Sequence, residues 1–265
     1  MKTVIYYFTG TGNTLAIVRD LAAELGDSEL VPVPEMMRRQ EIACDADAVG
    51  IAFPVYFLDL PEIVEGFVRK LRFTGRSYIF GIATCGERPG GALFSLQALL
   101  EEKGQALASG FVFVMPENFI GPVDLMGDAP HRQDKYAAAR GRIAPVAAMI
   151  RERKQSLPEG NPSAILRIGG KITRSLATTL YNTPRHLRAT CRCNHCRTCE
   201  RICPARNIVV EKDAVIFGNS CTQCYACIHW CPQGAIEIGR RTAGKPRYHH
   251  PDVTLADMLR QRGDA

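Results

Sequence analysis

The sequence predicts an α/β chain: a doubly wound parallel sheet of five strands, followed by a small α+β module bound together by cysteine. Three observations predict it. Apolar strand-like runs alternate with helical patterns over the first 155 residues, a small hydroxyl-rich turn joins the first strand to the first helix, and a cysteine spacing near the C-terminal end occurs twice.

Lys2 to Phe8 is apolar and rich in β-branched and aromatic residues, as a strand buried on both faces requires. It ends in Thr9-Gly10-Thr11-Gly12-Asn13-Thr14. A helix follows from about Asn13 to Leu25, with Leu15, Val18, Leu21, Ala22 and Leu25 at helical spacing and Gly26 as its stop. Strand, small loop and helix make an anion cradle, because glycines let the backbone approach and the amides at a helix N-terminus point outward. The loop has neither the Gly-Lys-Ser/Thr ending of a P-loop nor a Gly-x-Gly-x-x-Gly fingerprint.

The next elements alternate. Strands are expected at 29–33, 47–53, 76–84 and 105–115. Helices are expected at 62–71, 92–103 and 131–154, the last bent at Gly141 or Pro145. The order 2-1-3-4-5 brings the loops after the first, third and fourth strands together at the carboxyl ends of the strands. These loops are Thr9 to Thr14, Pro54-Val55-Tyr56 with its continuation to Pro61, and Thr84-Cys85-Gly86 with its continuation to Gly91. Phe57 and Leu58 read as core. Cys85 is the surplus cysteine placed where reactivity would matter, Cys44 and Cys191 being the others outside the repeated pattern.

The repeated pattern is Cys193-x-x-Cys196-x-x-Cys199-x-x-x-Cys203-Pro204 and Cys221-x-x-Cys224-x-x-Cys227-x-x-x-Cys231-Pro232. This is the bacterial two-cluster spacing. The first three cysteines of a copy hold one 4Fe–4S cube and the fourth crosses to the other, giving the sets Cys193, Cys196, Cys199, Cys231 and Cys221, Cys224, Cys227, Cys203. Disulfides suit small secreted domains, and the N-terminal stretch lacks a charged n-region with a cleavage site. Zinc sites pair Cys-x-x-Cys units, not triplets ending in Cys-Pro. Ile202, Ile208, Val215, Ile228 and Ile236 are expected to form a dry shell around the clusters, and Trp230 to be a packing residue.

The net charge of +6 is uneven. Residues 1–155 carry 17 basic and 19 acidic side chains, residues 156–190 five and one, and residues 191–265 eleven and seven. Two oxidised clusters, each with a formal charge of about −2, would bring the last region close to neutral. No nucleic-acid module or aromatic–basic platform accompanies the surplus. No apolar run is long enough to span a bilayer, so the expected compartment is cytoplasmic. Peripheral membrane or partner contact through Arg167, Lys171 and Arg174 competes with a plain solvated connector. The expected domains are 1–155, a linker over 156–188, and 189–265; oligomeric state is not expressed in the sequence.

With these residues in place, the chain resembles the flavodoxin–ferredoxin fusion electron-transfer proteins of anaerobes. The resemblance is carried by Thr9 to Thr14, Pro54-Val55-Tyr56, Met115-Pro116-Glu117-Asn118-Phe119, both cysteine runs, and Arg247-Tyr248-His249-His250-Pro251. It implies a flavodoxin-like FMN domain with its phosphate at Thr9 to Thr14 and its ring against Pro54, Val55, Tyr56, Thr84, Cys85 and Gly86. Tyr56 is the expected stacking aromatic. It implies two 4Fe–4S clusters and redox partner proteins as donor and acceptor, linking two-electron and one-electron carriers. An FMN-dependent reductase of a quinone, nitro compound or disulfide, and a component of a larger redox complex, are the alternatives. The 247–251 stretch is expected to dock on one of the domains.

Overall fold

The computed structural model describes residues 1–120, 125–160 and 186–263. The region 161–185, where the sequence predicts a basic helix carrying Arg167, Lys171 and Arg174, lies outside them.

Strands β1 (Thr3–Tyr7), β2 (Ser28–Pro32), β4 (Ala48–Pro54), β6 (Tyr78–Cys85) and β7 (Ser109–Val114) form one parallel sheet in the order β2-β1-β4-β6-β7. Counting only these five, the order is the 2-1-3-4-5 of the flavodoxin-like fold. All eight residues of β6 and all five of β1 are buried, which explains their unbroken apolar sequence. Helices α1 (Asn13–Leu25), α3 (Glu62–Lys70), α4 (Ala92–Glu101), α5 (Ala129–Gly141) and α6 (Ile143–Arg151) cover the sheet. Phe8, Phe53, Phe67, Phe80, Phe111 and Phe113 are the largest wholly buried side chains.

Three sequence expectations are corrected. The helix 131–154 is two helices, and the break falls at Arg142 rather than within one bent rod. Pro145 sits in the first turn of α6, where an amide needs no intrahelical partner. Phe57 and Leu58 are not core: both have positive φ, 50° and 62°, and Leu58 is exposed. They form the two central residues of a tight turn closed by mutual backbone bonds between Tyr56 and Asp59, each 3.0 Å. A short helix α2 (Val33–Met36) and a parallel pair, β3 (Ile42–Cys44) with β5 (Leu71–Phe73), add to the elements that the sequence pattern announces.

The cysteine module has internal symmetry. Strand β8 (Leu187–Ala189), helix α7 (Thr198–Ile202) and strand β9 (Ile208–Val210) recur 28 positions later as β10 (Val215–Phe217), α8 (Ala226–His229) and β11 (Ile236–Ile238). β8 pairs antiparallel with β11, and β9 with β10. Positive φ angles recur at the same offset: His195 with Gln223, Arg197 with Tyr225, and Arg206 with Gly234. Ile202, Ile208, Ile228 and Ile236 are buried as expected, while Val215 is half-buried.

The chain ends in helix α9 (Leu255–Arg260), opened by a capping box between Thr254 and Asp257. Trp230, Tyr248, Val253 and Met258 join the same buried cluster as the sheet's side chains, so apolar packing runs unbroken from sheet to module.

Candidate cofactor sites

The carboxyl ends of β1, β4, β6 and β7 surround a cleft of about 320 Å³, including its open mouth. It is lined by Thr9, Gly10, Thr11, Asn13 and Thr14, by Pro54 and Val55, by Thr84, Cys85 and Gly86, and by Met115 to Asn118. Three loops named from the sequence therefore meet at one cleft.

The loop before α1 is shaped as an anion seat. Gly12 is the helix N-cap with φ 97°, a left-handed conformation that only glycine adopts without strain, and no side chain caps the helix. Thr9, Thr11, Asn13 and Thr14 are all buried. A buried, uncapped helix start leaves amides in want of an acceptor, and a phosphate supplies one. The hydroxyls of Thr14 and Thr84 meet at 2.9 Å, joining the first and fourth strand loops. These donors fit a phosphate monoester of the FMN type.

Tyr56 is the sequence-named residue placed elsewhere. It does not line this cleft; it turns toward the cysteine module and shares a second cleft with Phe57, Cys221, Thr222 and Gln223. Its ring lies edge-on to Phe8 with its hydroxyl toward Gly10, and the turn at Phe57–Leu58 follows it. Cys85 is buried, and that burial pushes its thiol up to about 12, with Glu117 adding and Lys135 opposing. Such a thiol is inert. Glu117 packs directly on Gly86, leaving no room there for a Cβ. Burial raises the Glu117 carboxyl, while Lys135 lowers it; the Lys135 amine is fixed by a 2.7 Å bond to the Gly86 carbonyl.

The eight cysteines of the two motifs fall into two groups. Burial pushes Cys199 up to about 12, and Cys231, Cys193 and Cys196 lie close enough to add to the rise. Cys224 is likewise raised to about 12 by burial, then by Cys203 and Cys221. Cys227 is raised by burial, then by Cys224, Cys221 and Cys203, and last by Cys199 of the other group. A cleft of about 380 Å³ is lined by Cys203, Cys221, Cys224 and Cys227 together. Backbone amides donate to sulfur in matched pairs: His195 to Cys193 and Gln223 to Cys221, both 3.4 Å; Asn207 to Cys203 at 3.3 Å and Ala235 to Cys231 at 3.2 Å. Among the described residues no three metal-binding side chains converge as they would on a single ion. Each iron of a 4Fe–4S cube takes one thiolate, so four sulfurs surround a cube without meeting at a point. Buried thiols that would not ionise alone do so when iron supplies the opposing charge. The donor set fits clusters.

Residues 192–236 match the 4Fe–4S dicluster domain family. The chain joins a sheet of flavodoxin-like order to a segment similar to 4Fe–4S dicluster domains. One component of an ion-translocating oxidoreductase complex from Methanosarcina acetivorans is 44% identical over 61 residues, which are 22% of this chain and 23% of that protein. The chain thus spans less than a quarter of that relative's length. Among solved structures, an NAD(P)H:quinone oxidoreductase from Methanothermobacter marburgensis aligns at 14% identity and TM-score 0.36, over 55% of this chain and 96% of that one. A two-electron reduced flavodoxin from Megasphaera elsdenii aligns at 19% identity and TM-score 0.31, over 52% and 98%. The fold assignment of the first domain rests on the sheet order itself.

The strand-end loops and the cysteine module meet at the cleft. The carbonyl of Cys224 lies against Gly10, where a Cβ would collide with it. Trp230 Nε1 donates to the Gly10 carbonyl at 3.2 Å. Asn118 is shared: its Nδ2 donates to Thr11 Oγ1 at 3.3 Å, and its carbonyl lies 2.8 Å from His229 Nε2.

The C-terminal stretch docks on both domains, not one. Arg247 reaches buried Glu237 at 3.1 Å, and the Tyr248 amide donates to His229 Nδ1 at 3.0 Å. The Tyr248 hydroxyl donates to Asn13, and the His250 amide donates to the Thr11 carbonyl at 2.9 Å. Gln261 brackets Thr9, accepting from its amide at 2.9 Å and donating to its carbonyl at 3.1 Å. Arg19 and Asp257 pair at 2.7 Å. Gln261 and the residues 115–118 are site residues that strand and helix patterns miss. The Met115–Phe119 motif is the available signal for the latter; Gln261 has none.

Proposed function

We propose that this chain relays electrons between FMN, bound by the strand-end loops, and two 4Fe–4S clusters held by the two cysteine sets. Its domains are then 1–155 for flavin, 156–188 as linker and 189–265 for the clusters. One observation carries the reading: the Cys224 loop is seated directly on Gly10, so the set Cys203, Cys221, Cys224, Cys227 lies against the flavin cleft. The set Cys193, Cys196, Cys199, Cys231 lies beyond it, with Cys196 exposed. A bound flavin would take up electrons as a pair and release them one at a time, and an iron–sulfur cluster carries one, so together they would join two-electron to one-electron carriers.

The chain's own residues hold, orient and insulate. The Thr9 to Thr14 loop seats the phosphate. Val55, Thr84 and Gly86 border the ring. The buried shell of Ile208, Ile228 and Ile236 keeps water from the inner cysteines. The cytoplasm is the proposed compartment, since it keeps cysteine thiols reduced and ready for iron. Among the described residues no helix is long and apolar enough to cross a membrane.

The test is anaerobic purification with iron, sulfide and flavin analysis, then a redox titration. The expected result is about eight irons per chain, as two 4Fe–4S clusters require, with one FMN. A lower iron content after full reconstitution, or no flavin, sinks the reading.

A second reading has one observation in its favour. Glu117, its carboxyl raised by burial, borders the cleft beside Gly86 and can hold a proton there. A reductase acting on a small molecule at the flavin would show steady turnover with that substrate and reduced pyridine nucleotide as the electron donor, without a partner protein; a relay needs the partner.

A further inference from the structure

The 28-residue offset between the two cysteine copies allows their faces to be compared position by position. In the second copy the positions beside the ligands are Ser220, Tyr225 and His229. Tyr225 and His229 are buried against the flavodoxin-like domain. Tyr225 meets the Phe119 ring edge-on at 6.3 Å, and His229 is bonded to the Asn118 carbonyl. In the first copy the same positions are Arg192, Arg197 and Arg201, and all three are exposed. Cys196 lies among them and is itself exposed. The two positions that the second copy buries against its internal partner are therefore open and basic in the first, while Ser220, like Arg192, is exposed.

The basic character outlasts the local ion pairs. Arg192 is matched by buried Glu237 at 2.9 Å, and Arg197 by Glu200 at 3.5 Å. Between His186 and Arg206 there are five arginines and one acidic residue, Glu200. Residues 219–231 of the second copy contain no charged side chain, histidine aside. On this face the copies differ in charge: Arg192, Arg197 and Arg201 stand where the second copy has Ser220, Tyr225 and His229.

We propose that the face around Cys196, Arg197 and Arg201 docks an acidic one-electron carrier protein. The inference rests on the relay reading above. At this face one electron passes between the outer cluster, held by Cys193, Cys196, Cys199 and Cys231, and the carrier's redox centre. One is oxidised as the other is reduced, and no bond is made or broken. A basic surface around an exposed redox centre attracts an acidic partner and orients it, which raises the association rate in proportion to the field and makes it sensitive to salt.

The experiment uses the reconstituted full chain and its Arg197→Glu/Arg201→Glu variant, with a purified acidic flavodoxin as the carrier and a viologen dye as the small control. The expected result is a carrier reduction rate that falls steeply with ionic strength and is about tenfold lower in the variant at low salt, while the dye rate does not fall. A carrier rate that is insensitive to salt and equal in both proteins overturns the inference. So does loss of binding to vesicles containing an anionic lipid with an unchanged carrier rate, since the face would then belong to a membrane. Electron exchange between flavin and clusters within the chain is followed without carrier in the same samples. If that exchange fails, the relay reading falls; if it persists while the carrier rate is unaffected, the docking inference alone falls.

Discussion

Trp230 and Gly10 are fastened together: the indole Nε1 donates to the glycine carbonyl at 3.2 Å, across 220 positions of sequence. The residue preceding Cys231, a proposed cluster ligand, thereby holds the loop that begins the proposed flavin cleft. The same indole stacks on His249, with centroids 4.3 Å apart and planes 18° apart.

Trp230→Phe keeps most of the ring and removes this donor. A buried carbonyl then lacks its partner, at a cost of about 1–3 kcal/mol. Flavin binding is expected to weaken by roughly tenfold, since 1.4 kcal/mol is a factor of ten, with iron content unchanged. Flavin titration of the apoflavin form, alongside iron analysis, checks this; equal flavin affinity would show that the indole bond does not support the loop.

Gln261→Ala removes both bonds to Thr9 and leaves a buried amide unpaired. The expected loss is about 1–3 kcal/mol in stability, with faster hydrogen exchange over α9 and Thr9. Gln261 is 2% exposed, so water cannot replace its amide without the helix moving. Unchanged exchange in α9 would mean that the helix is held by Asp257–Arg19 and its apolar face alone.

The crossing of the fourth cysteine is tested by a pair of variants. Cys203→Ser is expected to perturb the spectrum of the cluster held by Cys221, Cys224 and Cys227, and Cys231→Ser that of the other. Spectroscopic assignment uses Cys196→Ser, which marks the outer cluster. If Cys203→Ser and Cys196→Ser perturb the same signal, the crossing is wrong.

The cysteine sets, the hydroxyl loop and the sheet order are legible because each is a local pattern: a fixed spacing, a strand-to-helix turn, an apolar run. The dockings are not. Gln261 meets Thr9 through the latter's backbone, and any residue at position 9 except proline offers the same amide and carbonyl. Tyr56 reads as a flavin neighbour from its position after a strand, but it shares a cleft with Cys221 and is followed by a turn of two positive-φ residues. Phe and Leu give no sign of a left-handed turn, since glycine and asparagine are its usual occupants. The strands β3 and β5 are three residues each, too short for a period to appear.

His250 makes the tail's docking depend on pH. Its ring is buried, edge-on to Tyr136 at 4.7 Å, and accepts the Asp252 amide at Nδ1. Burial lowers its pKa to about 4; Asp252 opposes the drop, and Arg140 and His249 add to it. Asp20 and Arg19 line the same cleft. The folded tail thus holds a neutral ring, while the released tail binds a proton below about 6.5. Stability from this docking is complete above that value and is lost as pH falls toward 4, at most about 3 kcal/mol. The protection factors of residues 247–263, which allow for the slower intrinsic exchange at low pH, are expected to fall more between pH 7 and pH 5 in the native protein than in His250→Gln. An equal fall in both would assign the effect to another group.

Tyr56 carries the last prediction. Its hydroxyl is buried and makes no hydrogen bond, although Asn118 is near enough to lower its pKa. Burial, and then the neighbouring Cys224, hold that pKa well above 10, so the group remains a donor at every working pH. A buried donor without an acceptor costs about 1–3 kcal/mol, which a fold tolerates where a bound group supplies the acceptor. The cleft it shares with Cys221 places it beside the inner cysteine set. A hydroxyl donated toward cluster sulfur favours the more negative, reduced form and raises the midpoint potential. Tyr56→Phe is therefore expected to lower the potential of the inner cluster, leave the outer one unmoved, and retain full iron content. A titration followed by electron paramagnetic resonance resolves the two. If neither potential moves, the hydroxyl faces no cluster sulfur; if both move together, the substitution has shifted the module as a body and the assignment to Tyr56 fails.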